Sequence, residues 1–275
     1  MKKTKILILL CVIALQISLF FYWQTNRIVV NIQPIKDNGL ASFFDGLRVV
    51  QISDLHINRF GSREEELVHL IEKIDPNLIL ITGDFLSRNS DLEPAVEVVG
   101  RITKNRNAIA ILGNADHEFR DKKVDTAKLV DSLRKKGVTV LVNRSIKLKS
   151  KADSIFVIGL DDNYLWKDDF FAATANLPLS GTKILLAHSP DIVTKVNLEG
   201  INLVLSGHTH GGQVKLPFVG AIHTNRVCNS VFKFVNGLYR YQNSNLYVNR
   251  GIGTSFFPLR FLSRPEVTIF KFEKE

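Results

Sequence analysis

Between positions 47 and 207 the chain carries six short apolar runs: LRVVQIS (47–53), NLILITG (77–83), AIAILG (108–113), SIFVIGL (154–160), TKILLAH (182–188) and INLVLSG (201–207). Each has the length of a strand and is rich in Val, Ile and Leu without a regular polar interruption, as strands buried on both faces read. Helical spacing lies between them. Leu67, Leu70, Ile71 and Ile74 fall at i, i+3, i+4 and i+7 and predict a helix over 63–74. Leu129, Val130 and Leu133 do the same over 124–136, with Gly137 as a stop signal. After Gly212 the pattern turns to strands and turns, with LYVNRG at 246–251 and EVTIFKF at 266–272. Strand–helix alternation followed by a β-rich tail predicts a layered α/β domain with one sheet packed on another. There is no internal repeat and no second-domain boundary.

The N-terminus has a different pattern. MKKTK is followed by 18 residues without a charge, ILILLCVIALQISLFFYW (6–23), close to the shortest length that spans a bilayer as a helix. A cleaved signal peptide would begin the same way. Here, however, the run ends in Phe20, Phe21, Tyr22 and Trp23, bulky rings that suit a membrane interface better than a peptidase site. The expectation is therefore an uncleaved anchor over 1–23, a polar connector over 24–44 and one catalytic domain over 45–275. Lys2, Lys3 and Lys5 precede the span while Arg27 and Lys36 follow it, which weakly favours an extracytoplasmic domain.

Composition then narrows the class. The 275 residues are 45% hydrophobic and 23% charged, which excludes a disordered or fibrous chain. Two cysteines, Cys11 and Cys228, cannot build a disulfide framework or a CxxC site. Net charge is +9, and because three lysines and no acids lie in 1–23, the remainder still carries +6. That excess suits a phosphorylated substrate or anionic headgroups, or a basic nucleic-acid- or lipid-binding module without turnover. It is equally what an ordinary solvated surface looks like. No GxxxxGK[ST] loop or GxSxG elbow occurs, and GIGTS (251–255) lacks the third glycine of a dinucleotide fingerprint.

The chemistry sits at the ends of the apolar runs. Asp54 and His56 follow the first, Asp84 the second, and Asn114, Asp116 and His117 the third; His188 ends the fifth, and His208 and His210 follow the sixth. This is the sheet edge where ligands bind in α/β folds. Any one of these residues could be a turn former or a helix cap. Together they form a set of carboxylate, amide and imidazole donors suited to Zn, Mn, Fe or similar divalent ions. Alternate side chains of an extended segment share a face, so Asp-x-His and His-x-His could each close on one ion.

The order DxH, GD, GNxD, H, GHxH resembles the calcineurin-like metallophosphoesterase superfamily from about residue 47 to 272. The tail LYVNRGIGTSFFPLRFLSRPEVTIF resembles its bacterial membrane-associated YaeI/YkuE-type branch. The resemblance implies a four-layer αββα sandwich of two mixed β-sheets flanked by helices, preceded by the N-terminal transmembrane helix. It implies two divalent metal ions, with Asp54, His56 and His210 on the first, Asn114, His188 and His208 on the second, and Asp84 bridging. It also implies hydrolysis of a phosphate ester by metal-activated hydroxide, with lipid-linked substrates among the options and no specific nucleic-acid partner.

One position departs from the pattern. Family members commonly read GNH after the third strand, and this chain has Ala115 there. His117 is the candidate replacement as catalytic acid, unless it merely caps the following segment. Without a proton donor a phosphoanhydride leaves more easily than an alkoxide. UDP-2,3-diacylglucosamine pyrophosphatases share this lack, so a lipid-A-type nucleotide substrate is an alternative, though its cytoplasmic location opposes the orientation read from the lysines. Arg250 and Arg260 are candidate phosphate or headgroup partners. Gln213 could bind a ligand or begin a strand, and the run SFFPLRFL (255–262) could meet the bilayer or pack in the core.

Overall fold

The computed structural model describes residues 2–87, 92–119, 122–150, 153–218, 220–221, 234–255 and 258–275. Its first element is α1 (Lys2–Asn26), whose stretch Thr4–Asn26 is long and apolar enough to cross a membrane. Strand β1 (Val29–Lys36) follows after only two residues, and then α2 (Asn38–Phe43), capped by the Asp37 carboxylate accepting from Leu40 N at 2.8 Å. The body continues with β2 (Val49–Ile52), α3 (Ser62–Ile74), β3 (Leu78–Thr82), α4 (Leu92–Ile102), β4 (Asn107–Ile111), α5 (Thr126–Lys135) and β5 (Val138–Val140). The second half comprises β6 (Arg144–Lys149), β7 (Ser154–Gly159), α6 (Phe170–Thr174), β8 (Lys183–Leu186), β9 (Leu203–Ser206), β10 (Gly237–Tyr241), β11 (Ser244–Val248) and β12 (Glu266–Glu273).

Two six-stranded sheets result. The first has the order β1-β12-β2-β3-β4-β5, parallel except where β12 meets β2. The second has the order β10-β11-β9-β8-β7-β6, parallel inside with an antiparallel strand at each edge. The continuous apolar runs fill both faces of each sheet by strand alternation. Val50, Ile52, Ile79 and Ile81 pack outward with Leu67, Ile71, Val98, Val99, Leu129 and Leu133 of α3, α4 and α5. Their neighbours Val49, Leu78, Leu80, Ile109 and Ile111 point inward and meet Val157, Ile184, Leu186, Leu203 and Leu205 of the second sheet. A third layer lies outside the second sheet, where Leu185, Val204 and Leu246 pack with Ala173 of α6 and with Ile192 and Val193. Helix, sheet, sheet, helix is thus the layer order, as the resemblance implied.

Two parts of the reading need correction. Residues 24–44, read as a polar connector, contain β1, which pairs parallel with β12 along eight residues. The pattern hid it because β1 is an edge strand of inverted polarity: Val30 and Ile32 are exposed, Pro34 sits inside it, and Asn31 reaches inward to the Tyr247 hydroxyl at 2.8 Å. The segment 92–102, not marked as a helix, forms α4; Pro94 falls in its first turn, where its missing N–H has no partner to lose. The expected helices over 63–74 and 124–136 are α3 and α5, with ends shifted by one or two residues.

Candidate metal centre

The loops after β2, β3, β4, β8 and β9 converge on one rim of the sandwich. Buried polar ties between the sheets hold that rim together. Gln51 Nε2 donates to Thr82 Oγ1 and to Ser206 O, both at 3.0 Å, joining β2, β3 and β9 just below the loops. Asp116 accepts four main-chain hydrogen bonds, from Asp84 N (2.8 Å), Phe85 N (2.8 Å), Leu86 N (3.2 Å) and Gly113 N (3.0 Å). It therefore pins the Asp84 loop to the Asn114 loop. A Cβ at Gly113 would run into the Asp84 carboxylate, and one at Gly207 into Ser53 Oγ and the Asp54 carboxylate. Glycine is required at both places because the loops pass that closely.

The local backbone is not the extended one that the Asp-x-His and His-x-His spacing suggested. Asp54, His56, Asp84, His208 and His210 have φ of 49°, 41°, 57°, 68° and 52°. Left-handed backbone at a non-glycine residue costs on the order of 1–3 kcal/mol, and such strain concentrates at functional sites. The correction has a consequence for the second pair. His210 joins the Asp54 loop, its Nε2 lying 3.5 Å from Asp54 Oδ1 and 3.2 Å from His56 Nε2. His208 turns instead to the other side, its ring centroid 5.0 Å from that of His188 and 4.8 Å from that of Tyr164. The two histidines of the motif face different clusters.

Asp84 stands between the clusters. Its Oδ2 is 3.3 Å from His56 Nε2 and 3.3 Å from His188 Nε2, and its Oδ1 accepts from Ala115 N at 2.8 Å. Asp54, His56 and His210 present donor atoms within 4.8 Å of one another, and so do Asp54, Asp84 and His188. Outer partners set the ring tautomers. His188 Nδ1 donates to Thr82 O at 2.7 Å and His56 Nδ1 to Leu86 O at 3.1 Å, leaving each Nε2 lone pair toward the cluster.

The chemistry of this donor set fits divalent cations. All six carboxylate and imidazole side chains are buried, and groups of this kind need a partner to offset lost hydration. Asn114 Oδ1 and His208 Nε2 are buried acceptors without a hydrogen-bond partner, left for something other than protein, and His188 Nε2 faces the Asp84 carboxylate at 3.3 Å. Burial, with help from the His188 charge, pushes His208 down to about 3, so its imidazole is neutral. Burial and the neighbouring His56 hold His210 well below the usual range. His188 runs the other way: burial opposes its charge, but the Asp84 carboxylate outweighs burial and holds its pKa well above the usual value. Asp84, despite burial, is held well below the carboxylate range by His188 and His56.

His117, the candidate acid, is on the rim with both nitrogens engaged: Nε2 is 2.6 Å from Asp161 Oδ1 and Nδ1 3.3 Å from Thr126 Oγ1. Ala115 is buried and lends only its main-chain N–H, to Asp84. The two candidate phosphate-binding arginines have other work. Arg260 is fully buried and directs its guanidinium to four carbonyls, those of Gly253, Arg250, Ser263 and His210, at 2.6–3.3 Å. Arg250 donates to Glu266 Oε2 at 2.7 Å. Gln213 accepts from Ser255 N and Oγ at 2.9 and 3.1 Å, fastening the tail to the ligand loop. Sequence reasoning missed Tyr164 and the loop around it. Asn163 clamps Ser189, beside His188, with two 3.0 Å hydrogen bonds, a role that no spacing announces.

A cluster of carboxylate, amide and imidazole donors at the rim of two stacked α/β sheets defines a metal-dependent hydrolase. The chain belongs to the calcineurin-like phosphoesterase family, whose model matches residues 47–212. It is 34% identical to the uncharacterized metallophosphoesterase YkuE of Bacillus subtilis over 257 residues, covering 90% of this chain and 87% of that one. It is 30% identical to the phosphodiesterase YaeI of Escherichia coli, covering 84% and 85%, and 26% identical to the UDP-2,3-diacylglucosamine pyrophosphatase LpxG of Chlamydia trachomatis, covering 82% and 83%. Membership in an enzyme family sets aside the reading of a basic binding module without turnover.

Proposed function

We propose that this protein is a membrane-anchored phosphoesterase that uses two divalent ions and acts on phosphoester or pyrophosphate bonds of lipid-linked substrates. Asp54, His56 and His210 would hold one ion, Asn114, His188 and His208 the other, and Asp84 both. The observation that carries this reading is the position of Asp84 Oδ2, equidistant at 3.3 Å from an imidazole of each cluster. Bound divalent ions supply a water of lowered pKa and positive charge facing the phosphoryl oxygens. The side chains do the rest: burial keeps the His208 and His210 imidazoles neutral, Asp84 and Asp54 balance charge, and Asp116 holds the loops in register. His117, paired with Asp161, is the residue available to give a proton to the departing oxygen.

α1 supports the anchor, and the lysines ahead of it favour an extracytoplasmic domain. A second reading, a pyrophosphatase of the UDP-2,3-diacylglucosamine type, rests on Ala115 and on the likeness to LpxG, and it requires the cytoplasmic face. The test uses the full chain in detergent or vesicles. It hydrolyses bis(4-nitrophenyl) phosphate with added Mn²⁺, loses activity on EDTA treatment and regains it with metal. Full activity after metal stripping would overturn the proposal. A reporter fused after Glu275 decides the membrane face and hence between the two substrates.

A further inference from the structure

The end of α1 is built into the domain. Gln24 and Thr25 are buried, Arg260 N donates to Thr25 Oγ1 at 2.9 Å, and the Arg264 guanidinium lies 4.3 Å from the Trp23 ring centroid. Phe261 packs its ring against both Phe20 and Phe21, with centroids 6.1 and 5.6 Å apart. Phe20 and Phe21 belong to the charge-free run, so with α1 in a bilayer Phe261 lies at the depth of the interface. The run 255–262 thus meets the anchor through Phe261, while its Phe256 and Phe257 lie outside the described residues.

The main chain of Phe261 is in turn hydrogen-bonded to the segment that leaves the ligand loop. Phe261 N donates to Gln213 O at 3.0 Å, and Lys215 N donates to Phe261 O at 2.9 Å. Only three residue steps separate Gln213 from His210, a reach of at most about 10 Å. Apolar side chains around this junction face outward. Leu262 is 47% exposed, Leu216 40%, and the Phe218 ring stands entirely in solvent on a left-handed backbone of φ 67°. A bulky residue pays for that conformation, and exposed apolar side chains gathered in this way mark a contact surface. Arg27, paired with Glu66 at 3.7 Å, and Arg264, stacked on Trp23, flank the helix exit and add positive charge of the kind anionic headgroups attract.

We infer that residues 214–218 and 261–262 form a bilayer-contact surface beside the anchor, which sets the metal centre at headgroup depth and selects phosphoesters borne by amphiphiles of the same leaflet. This rests on the membrane-anchored phosphoesterase reading and adds to it where the substrate comes from. The occupant is the lipid interface because the surface is continuous, through Phe261, with the helix that enters it.

Two measurements on the full chain, in vesicles of phosphatidylcholine and phosphatidylglycerol, test this. With Cys11→Ala and Cys228→Ser, an environment-sensitive label is placed at Phe218→Cys or at Leu179→Cys; Leu179 is fully exposed ahead of β8, at the strand end opposite the rim. The label at 218 is quenched by doxyl groups on the lipids and shielded from aqueous iodide, and the label at 179 behaves in the opposite way. Equal behaviour at both positions overturns the inference. So does shielding at 218 without doxyl quenching, which would mean that a second protein chain covers it. Separately, a Phe218→Ser, Leu262→Ser variant loses about tenfold in turnover of bilayer-embedded hexadecyl 4-nitrophenyl phosphate, while turnover of water-soluble methyl 4-nitrophenyl phosphate is unchanged. Equal loss on both also overturns it. If the unaltered protein cleaves neither substrate, the phosphoesterase reading fails, and the quenching result still decides the bilayer contact.

Discussion

The Asp54–His56–His210 cluster and the Asn114–His188–His208 cluster use nearly the same donor types but are built differently. In the first, donor atoms face one another at 3.2–3.5 Å, and the His210 carbonyl is gripped by buried Arg260. In the second, Asn114 and His208 each bring a buried acceptor with no protein partner, and His188 Nε2 faces the Asp84 carboxylate at 3.3 Å. The first is tied to the tail and, through Arg260 and Thr25, to the anchor. The second is held across the two sheets, with His188, after β8, oriented by Thr82 O of β3 and its following loop clamped by Asn163. The difference teaches that one half of the site is held by carbonyl ties within the protein, whereas the other keeps buried acceptors that a bound cation would complete.

That contrast can be attacked in order of expected effect. Asp84→Asn removes the carboxylate common to both clusters and is expected to lower turnover by about 10³-fold or more, with metal content falling in parallel. Arg260→Met takes the guanidinium from four carbonyls around the first cluster, of which His210 O keeps Gln213 N and Ser263 Oγ as donors. It should cost about 3 kcal/mol in thermal unfolding, against about 1 kcal/mol or less for Arg250→Met, whose partner Glu266 has other donors. Asn114→Ala or His208→Ala should weaken binding of one ion by about 100-fold and leave the other in place, read by metal titration. If both ions are lost together, the clusters are not separable and the comparison fails.

Proton linkage is the next smaller effect. In metal-free protein the Asp84 carboxylate holds the His188 pKa above the ordinary imidazole value and so favours its protonated form. Coordination needs that nitrogen free, so binding releases a proton and affinity rises by up to about tenfold per pH unit below the His188 pKa. Calorimetry in two buffers of different ionisation enthalpy measures the proton count; no release would contradict the His188 assignment. The smallest effect concerns leaving groups. His117→Ala should slow an alkyl diester about tenfold and leave a nitrophenyl ester nearly unchanged, since only the poor leaving group needs a proton.

Much of this was legible in the sequence, for identifiable reasons. Strands buried on both faces write themselves as unbroken Val, Ile and Leu runs, so β2, β3, β4, β7, β8 and β9 and the residues at their ends could be located. What could not be read depends on long-range contact. β1 looks like linker because its apolar residues are split between two faces, Val30 and Ile32 exposed and Ile35 buried, with Asn31, Gln33 and Pro34 between them. Arg260 looks like a surface charge because its carbonyl partners come from four separate positions. The left-handed turns at Asp54, His56 and His210 have no glycine to announce them, which is why strand periodicity sent His208 and His210 to the same ion and the folded chain does not.

The place of β12 between β1 and β2 bears on how the protein is made. β1 follows α1 directly and, among the described residues, its sheet neighbour is β12, which ends at Glu273. The ribosome therefore delivers the start of that sheet first and its keystone last. α1 is made while β1 still waits for a mate, and that edge of the sheet can close only once β12 has left the exit tunnel.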